Sequence, residues 1–168
     1  AVYQICKNPN VRIMWVGGNE DIAKNALSAV LDVLDTNEEL QEDFCLPGTS
    51  FKPDNRSGKN WSQNQFTVGT RTVAGIKSPT MVAVGKGGKI LSRDCDIIIA
   101  DDIEDHQTTM QPGARENTRQ WWTTTLSSRK EEHTAVVVIG SRQHSDDLYH
   151  HLLANDNFEQ IVETAHSL

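Results

Sequence analysis

Runs of consecutive apolar residues alternate along the chain with stretches whose apolar positions recur every three or four residues, and this alternation predicts the element order. Val11 to Gly17 (VRIMWVG) is a short run rich in β-branched residues, closed by Gly17-Gly18, and predicts a strand with a sharp exit. A helix is expected at once. Asn19 can cap it, Glu20 and Asp21 suit the positive end of its dipole, and Ile22, Ala26, Leu27, Val30, Leu31 and Leu34 recur at helical spacing up to an end near Asp35 to Asn37. Short strands are expected at Gln65 to Arg71 and Met81 to Val84, and buried ones at Cys95 to Ala100 and Thr134 to Ile139. A helix over Ala114 to Arg129 would carry Trp121 and Trp122. Ser145 would cap a last helix from Asp146 to Ala154, and Phe158 to Thr164 would return as a final strand. Cys45 to Gln63 has no periodicity and reads as a surface loop, and Gly85 to Lys89 (GKGGK) as a flexible turn. A strand feeding an amphipathic helix is half of a βαβ unit. The expected class is therefore α/β, a mainly parallel sheet flanked by helices.

The 168 residues suit one domain with a sizeable core, and an apolar share of 37% with 23% charged residues is that of a globular chain. No apolar run approaches the ~20 residues of a membrane span, and Ala1 to Asn10 lacks the pattern of a secretory signal. The net charge of −7, with no basic block, argues against a surface that coats nucleic acid, so any such contact is expected to be local. Lys86 to Lys89 and Arg56 to Lys59 are the basic loops available for it. Cys6, Cys45 and Cys95 form no CxxC pair, which fits a reducing cytosol and three small buried hydrophobes.

Candidate chemistry sits at two strand ends. A continuous apolar strand is typical of parallel sheets, whose ligands collect beyond the carboxyl ends, and Ile97-Ile98-Ile99-Ala100 ends in Asp101-Asp102. Two such carboxylates could hold Mg²⁺ and activate water; they could equally be polar cap residues. Val136 to Ile139 likewise runs into Gly140-Ser141-Arg142-Gln143-His144. If the two strands are neighbours, the second loop can face phosphates held at the first. Arg142 as a surface charge and His144 as a helix-start residue remain open readings.

The segment from Gly85 to Asp105 (GKGGKILSRDCDIIIADDIED) resembles the Walker-B region of bacteriophage large terminases, the DNA-packaging motor proteins. Val136 to Leu153 is similar to the same family's coupling motif, and the strand and helix from Val11 to Leu40 look like the part that follows its P-loop helix. The resemblance implies a P-loop NTPase core of the ASCE/RecA-like kind, with ATP and Mg²⁺ as cofactors. Asp101 would be the Mg²⁺-associated acid, holding the ion through water, and Asp102 the water-activating carboxylate. The family commonly has Asp-Glu here, so Glu104 or Asp105 is a candidate helper for the shorter Asp102. Arg93 would be a finger reaching a neighbouring subunit's triphosphate, or else a partner of Asp94 or Asp96. Ser141, Arg142 and His144 would contact the nucleotide and convert hydrolysis into movement. The implied partners are double-stranded DNA, a portal protein of the procapsid, a small terminase subunit, and further copies of the chain in a ring, all in the bacterial host cytoplasm.

The chain contains no GxxxxGK[ST] loop, so residues 1–168 are expected to be an ATPase-domain fragment, incomplete at its N-terminus, with Ala1 to Lys7 the tail of the P-loop helix. The family's nuclease domain is not expected within it. Two alternatives belong to other classes. One is a metal-dependent nuclease built on Asp94, Asp96, Asp101, Asp102, Glu104, Asp105 and His106, although alternation along the strand sets Asp94 and Asp96 at its far end from Asp101. The other is a non-catalytic capsid or portal interaction module presenting Trp121, Trp122 and the loop from Cys45 to Gln63. For the tryptophan pair, one ring in the core and one at its rim is the plainer expectation. A metal site from His144, His150 and His151 is disfavoured, since adjacent histidines point to different helix faces.

Overall fold

The computed structural model describes residues 1–88, 94–126 and 132–163. Four apolar runs form parallel strands: β1 (Ile13–Gly17), β3 (Met81–Gly85), β4 (Ile97–Asp101) and β5 (Ala135–Ile139). A two-residue strand, β2 (Gln65–Phe66), pairs antiparallel with β3, and the sheet order is β2-β3-β1-β4-β5. This is an α/β fold with a five-stranded, mostly parallel sheet flanked by helices. Register brings Gly17, Gly85, Asp101 and Ile139 level with one another. Every loop that leaves a parallel strand therefore opens on the same edge.

Side-chain alternation divides the core into two layers. Odd-numbered residues Ile13, Met81 and Ile99 face Leu27, Val30 and Leu34 of α2 (Glu20–Thr36) and Ile5 of α1 (Val2–Lys7). Even-numbered Met14, Val16, Ile98 and Ala100 face Trp122, Leu126 and Leu148. As expected, the Asn19 side chain caps α2, accepting from the Ile22 amide at 2.9 Å. α3 (Glu38–Phe44) was not anticipated: it is seven residues long, buries none of them, and starts because Asn37 caps it as well. β5 is covered unevenly. Val136 and Val138 pack on the second layer, while Val137 and Ile139 on the other face are 45% and 49% exposed.

Four boundaries differ from the sequence expectation, each for a local reason. The strand expected to reach Arg71 stops at Phe66, because the Val68 amide donates to the Thr80 hydroxyl and the Gly69 amide to the Phe51 carbonyl instead of to a ladder. Phe51 also corrects the picture of Cys45 to Gln63 as purely surface, since its ring is 1% exposed and pins that segment to the first layer. The helix expected from Ala114 begins at Pro112 as α5 (Pro112–Trp121), after the short α4 (His106–Thr109), and passes into a π-helical turn at Trp122–Leu126. The last helix, α6 (Leu148–Leu153), is capped by Asp147 rather than Ser145. Residues 158–163 are not a strand; Phe158 packs against the second layer instead. Trp122 is buried and Trp121 half-buried, as the plainer expectation had it, and Cys95 is buried while Cys6 and Cys45 are partly so. Among the described residues no helix is long and apolar enough to cross a membrane.

Candidate functional site

The level ends of four parallel strands create a shared rim, and the chain is most tightly constrained where β1 and β4 leave the sheet. Asp102 is the sole non-glycine residue with positive φ (44°) among the described residues. A side chain in that left-handed region costs roughly 1–2 kcal/mol, and such outliers cluster at functional sites. Gly18 makes the geometry possible: a methyl group there would overlap the Asp102 carbonyl oxygen. Gly85 is packed in the same way against the backbone of Asn19 and Glu20, where α2 begins. The two glycine-marked exits in the sequence thus let three loops meet in little space.

Asp101 and Asp102 stand side by side at this rim, Asp101 half-buried and Asp102 exposed. Among the described residues no cation pairs with either. Burial, then the neighbouring Asp102 charge, raise the Asp101 carboxyl above its ordinary range, and the Trp15 indole N–H only partly offsets them. Adjacent oxygen donors under mutual repulsion suit a hard divalent cation, which would relieve both penalties. Among the described residues no three His, Cys, Asp or Glu side chains converge into an all-protein metal cage. One or two carboxylates completed by phosphate oxygens is the usual way Mg²⁺ is held beside a nucleotide.

The loop after β5 lies against this pair. The Asp102 amide donates to the Ile139 carbonyl at 3.1 Å, which seats Gly140 and Ser141 next to the acids. Ser141 and Arg142 are exposed there, and the Arg142 guanidinium lies 3.9 Å from the Asp147 carboxylate. The His144 Nδ1 accepts from the Asp146 amide at 3.0 Å, so this histidine shapes the turn. Asp147 was missed by sequence reasoning and organises the whole loop. Wholly buried, it accepts from the amides of Gln143 (2.8 Å), His144 (3.0 Å) and His150 (2.8 Å). Burial opposes its ionisation, but those amides and Arg142 hold its carboxyl below the ordinary value. An Asp three residues before a helical amide is a cap signal, available in the sequence but given there to Ser145.

Glu104 points elsewhere. It is 4% exposed, and its Oε2 accepts from the Leu148 amide at 2.6 Å, at the start of α6. Arg93 lies outside the described residues. Asp94 and Asp96 flank the opposite end of β4, where Asp96 takes two hydrogen bonds from the Arg12 guanidinium (2.6 and 3.1 Å) and one from the Arg12 amide. That end closes on itself, and the seven-residue nuclease cluster is not brought together. On the far side of the rim Lys86 reaches the Thr118 hydroxyl at 3.4 Å and adds a positive charge near Glu104 and Asp105.

The chain matches no protein-family model, and a search of curated proteins finds no match to it.

Proposed function

We propose that this chain is the ATPase portion of a terminase-like motor that drives double-stranded DNA into a procapsid, and that Asp101 and Asp102 are its hydrolytic acids. The observation that carries the reading is the Asp101-Asp102 pair: carboxylates without an ion-pair partner among the described residues, at the carboxyl end of a central parallel strand, with Asp102 held at a φ of 44° beneath Gly18. In this reading Asp101 would hold the Mg²⁺ that accompanies ATP, and the ion would supply charge neutralisation at the phosphates. Asp102 accepts a proton from, or orients, the attacking water, so that ATP and water give ADP and phosphate. The Ser141 to His144 loop, tied to Asp102 through Ile139, feels whether a γ-phosphate is present.

The outer edge of β5 also supports this reading. β2 closes one edge antiparallel, whereas among the described residues no strand pairs along the outer edge of β5, an apolar strand with Val137 and Ile139 uncovered. Apolar parallel strands are normally interior. A strand leading into a P-loop would fit beside β5, its carboxyl end level with Asp101. DNA, a portal protein, a small terminase subunit and a ring of copies enter with the motor reading alone, as does work in the host cytoplasm.

The test is nucleotide turnover by the full-length protein. Asp102→Asn should lower ATP hydrolysis by about 10²–10⁴-fold, the usual worth of a positioned general base, while retaining nucleotide binding. Asp101→Ala should lose Mg²⁺-dependent binding as well. Wild-type hydrolysis that survives both substitutions would discard the reading.

A further inference from the structure

Residues 102–104, which start at the second acid of the pair, are fastened to the segment 139–149 by three hydrogen bonds. The Asp102 amide donates to the Ile139 carbonyl, and the Ile103 amide donates to the Tyr149 hydroxyl at 3.0 Å. The Leu148 amide donates to the Glu104 carboxylate at 2.6 Å. Gly140 lies against the Tyr149 phenol so closely that any β-carbon there would overlap the ring. Glu104, Ile103, Leu148 and Tyr149 are all buried, so solvent cannot substitute for the Ile103–Tyr149 and Leu148–Glu104 bonds. On the α6 side Asp147 knits Gln143, His144 and His150 into one unit, and Asp146 bonds Arg115 and Arg119 of α5.

A loop held in a strained backbone state is thus bolted to a helix whose first turn is itself rigid. We infer that Glu104 and the Tyr149 hydroxyl form a latch that carries movement of the Asp101-Asp102 loop into α6, with Glu104 a positioning residue rather than the base. This rests on the ATP-hydrolysis reading above. The Glu104 carboxylate works here as a buried acceptor. Its charge is discouraged first by burial, and Asp147 nearby adds to that against the pull of the Leu148 amide, Lys86 and Arg119. Tyr149, pushed up to about 12 chiefly by burial, stays a neutral phenol whose oxygen receives the Ile103 amide. A displacement of Asp102 as phosphate leaves would pull on the Leu148 amide through Glu104 and on the α6 backbone through Tyr149. Helix α6 then moves as the output element.

An acceptor and a base respond differently to the same substitution. Glu104→Gln keeps an acceptor oxygen, Glu104→Met keeps the volume without one, and Tyr149→Phe removes only the hydroxyl. In the full-length protein, ATP hydrolysed per length of DNA translocated should rise roughly 3- to 30-fold in Glu104→Met and Tyr149→Phe, the span expected of a broken coupling element. Glu104→Gln should stay within about 2-fold of wild type in both hydrolysis and that ratio. If Glu104→Gln loses hydrolysis as deeply as Asp102→Asn, Glu104 acts through its charge and the latch is overturned. An unchanged ratio in Tyr149→Phe and Glu104→Met overturns it too, and Tyr149→Phe carries the test alone if Glu104→Met fails to fold. No Asp101-dependent hydrolysis in the wild type would instead remove the underlying reading, a result distinct from these.

Discussion

The two ends of β4 carry the same residue type in opposite circumstances. At its entry Asp96 is clasped by Arg12 through three hydrogen bonds, and Asp94 adds a 3.5 Å contact to the same guanidinium. At its exit Asp101 and Asp102 lie together without a cation among the described residues, one raised in pKa and the other in a left-handed backbone state. An acid whose partner lies within the fold contributes to stability. An acid pair without a cation among the described residues costs stability, and its natural complement is an ion or ligand. The entry end is therefore structural and the exit end is where chemistry is to be sought.

The sharpest break of this contrast would come from exchanging the two roles. Asp101→Asn should abolish turnover in the full-length protein, by about 10²-fold or more. Asp96→Asn should leave turnover within a few-fold and instead reduce stability by about 1–3 kcal/mol, because the Arg12 guanidinium, only 19% exposed at its side chain, loses the charge of the carboxylate that holds it at 2.6 Å. Urea unfolding and ATPase assays on the same two variants decide it. If both lose activity and neither loses stability, the ends do not differ as described.

Backbone strain offers a second test of the exit end. Gly18→Ala drives a methyl group into the Asp102 carbonyl, so the acid loop must shift, and turnover should fall about 10-fold or more even though no reacting group is altered. Asp102→Gly should act in the opposite sense on stability. It relieves the left-handed conformation and should raise unfolding free energy by up to about 1 kcal/mol while eliminating hydrolysis. A variant more stable yet inactive would identify Asp102 as a residue kept at the expense of the fold. Equal stability would mean that its backbone is not strained.

How much of this was legible beforehand follows the range of each interaction. Strands β1, β3, β4 and β5 and helix α2 were readable because apolar runs and an Asn cap are local signals. The place of Asp101 and Asp102 at a strand end was readable because it is local as well. The Arg12–Asp96 clasp joins residues 84 apart in sequence, and the Glu104–Leu148 bond joins residues 44 apart; neither leaves a periodic trace. Glu104 accordingly looked like a helper for Asp102 and proves to be turned toward α6. Asp147 lost its cap role to Ser145 in the sequence reading, since both are good caps and only the buried amides of Gln143 and His144 choose between them.

The smallest expected effect is a displacement along the pH axis, and it treats the two ends together. Burial opposes the charge of Asp96, yet Arg12 holds its carboxyl below the ordinary value of 3.8. Its stabilising contribution is therefore complete above that value and is lost only as pH falls through its lower folded value. Asp101 is shifted the other way, so its carboxylate protonates at a higher pH than an ordinary Asp as the solution is acidified. Activity should then fail before the clasp does: the acid limb of kcat/KM lies above 3.8 while the fold persists. Burial is the first cause of the Asp101 shift and the Asp102 charge the second, so a variant without that charge should move the limb down without returning it to the ordinary value. Since Asp102→Asn itself hydrolyses little ATP, Mg²⁺-nucleotide binding against pH is the measurement to make. A limb unmoved in Asp102→Asn would show that the two carboxylates do not sense each other, and would leave burial alone to separate the exit of β4 from its entry.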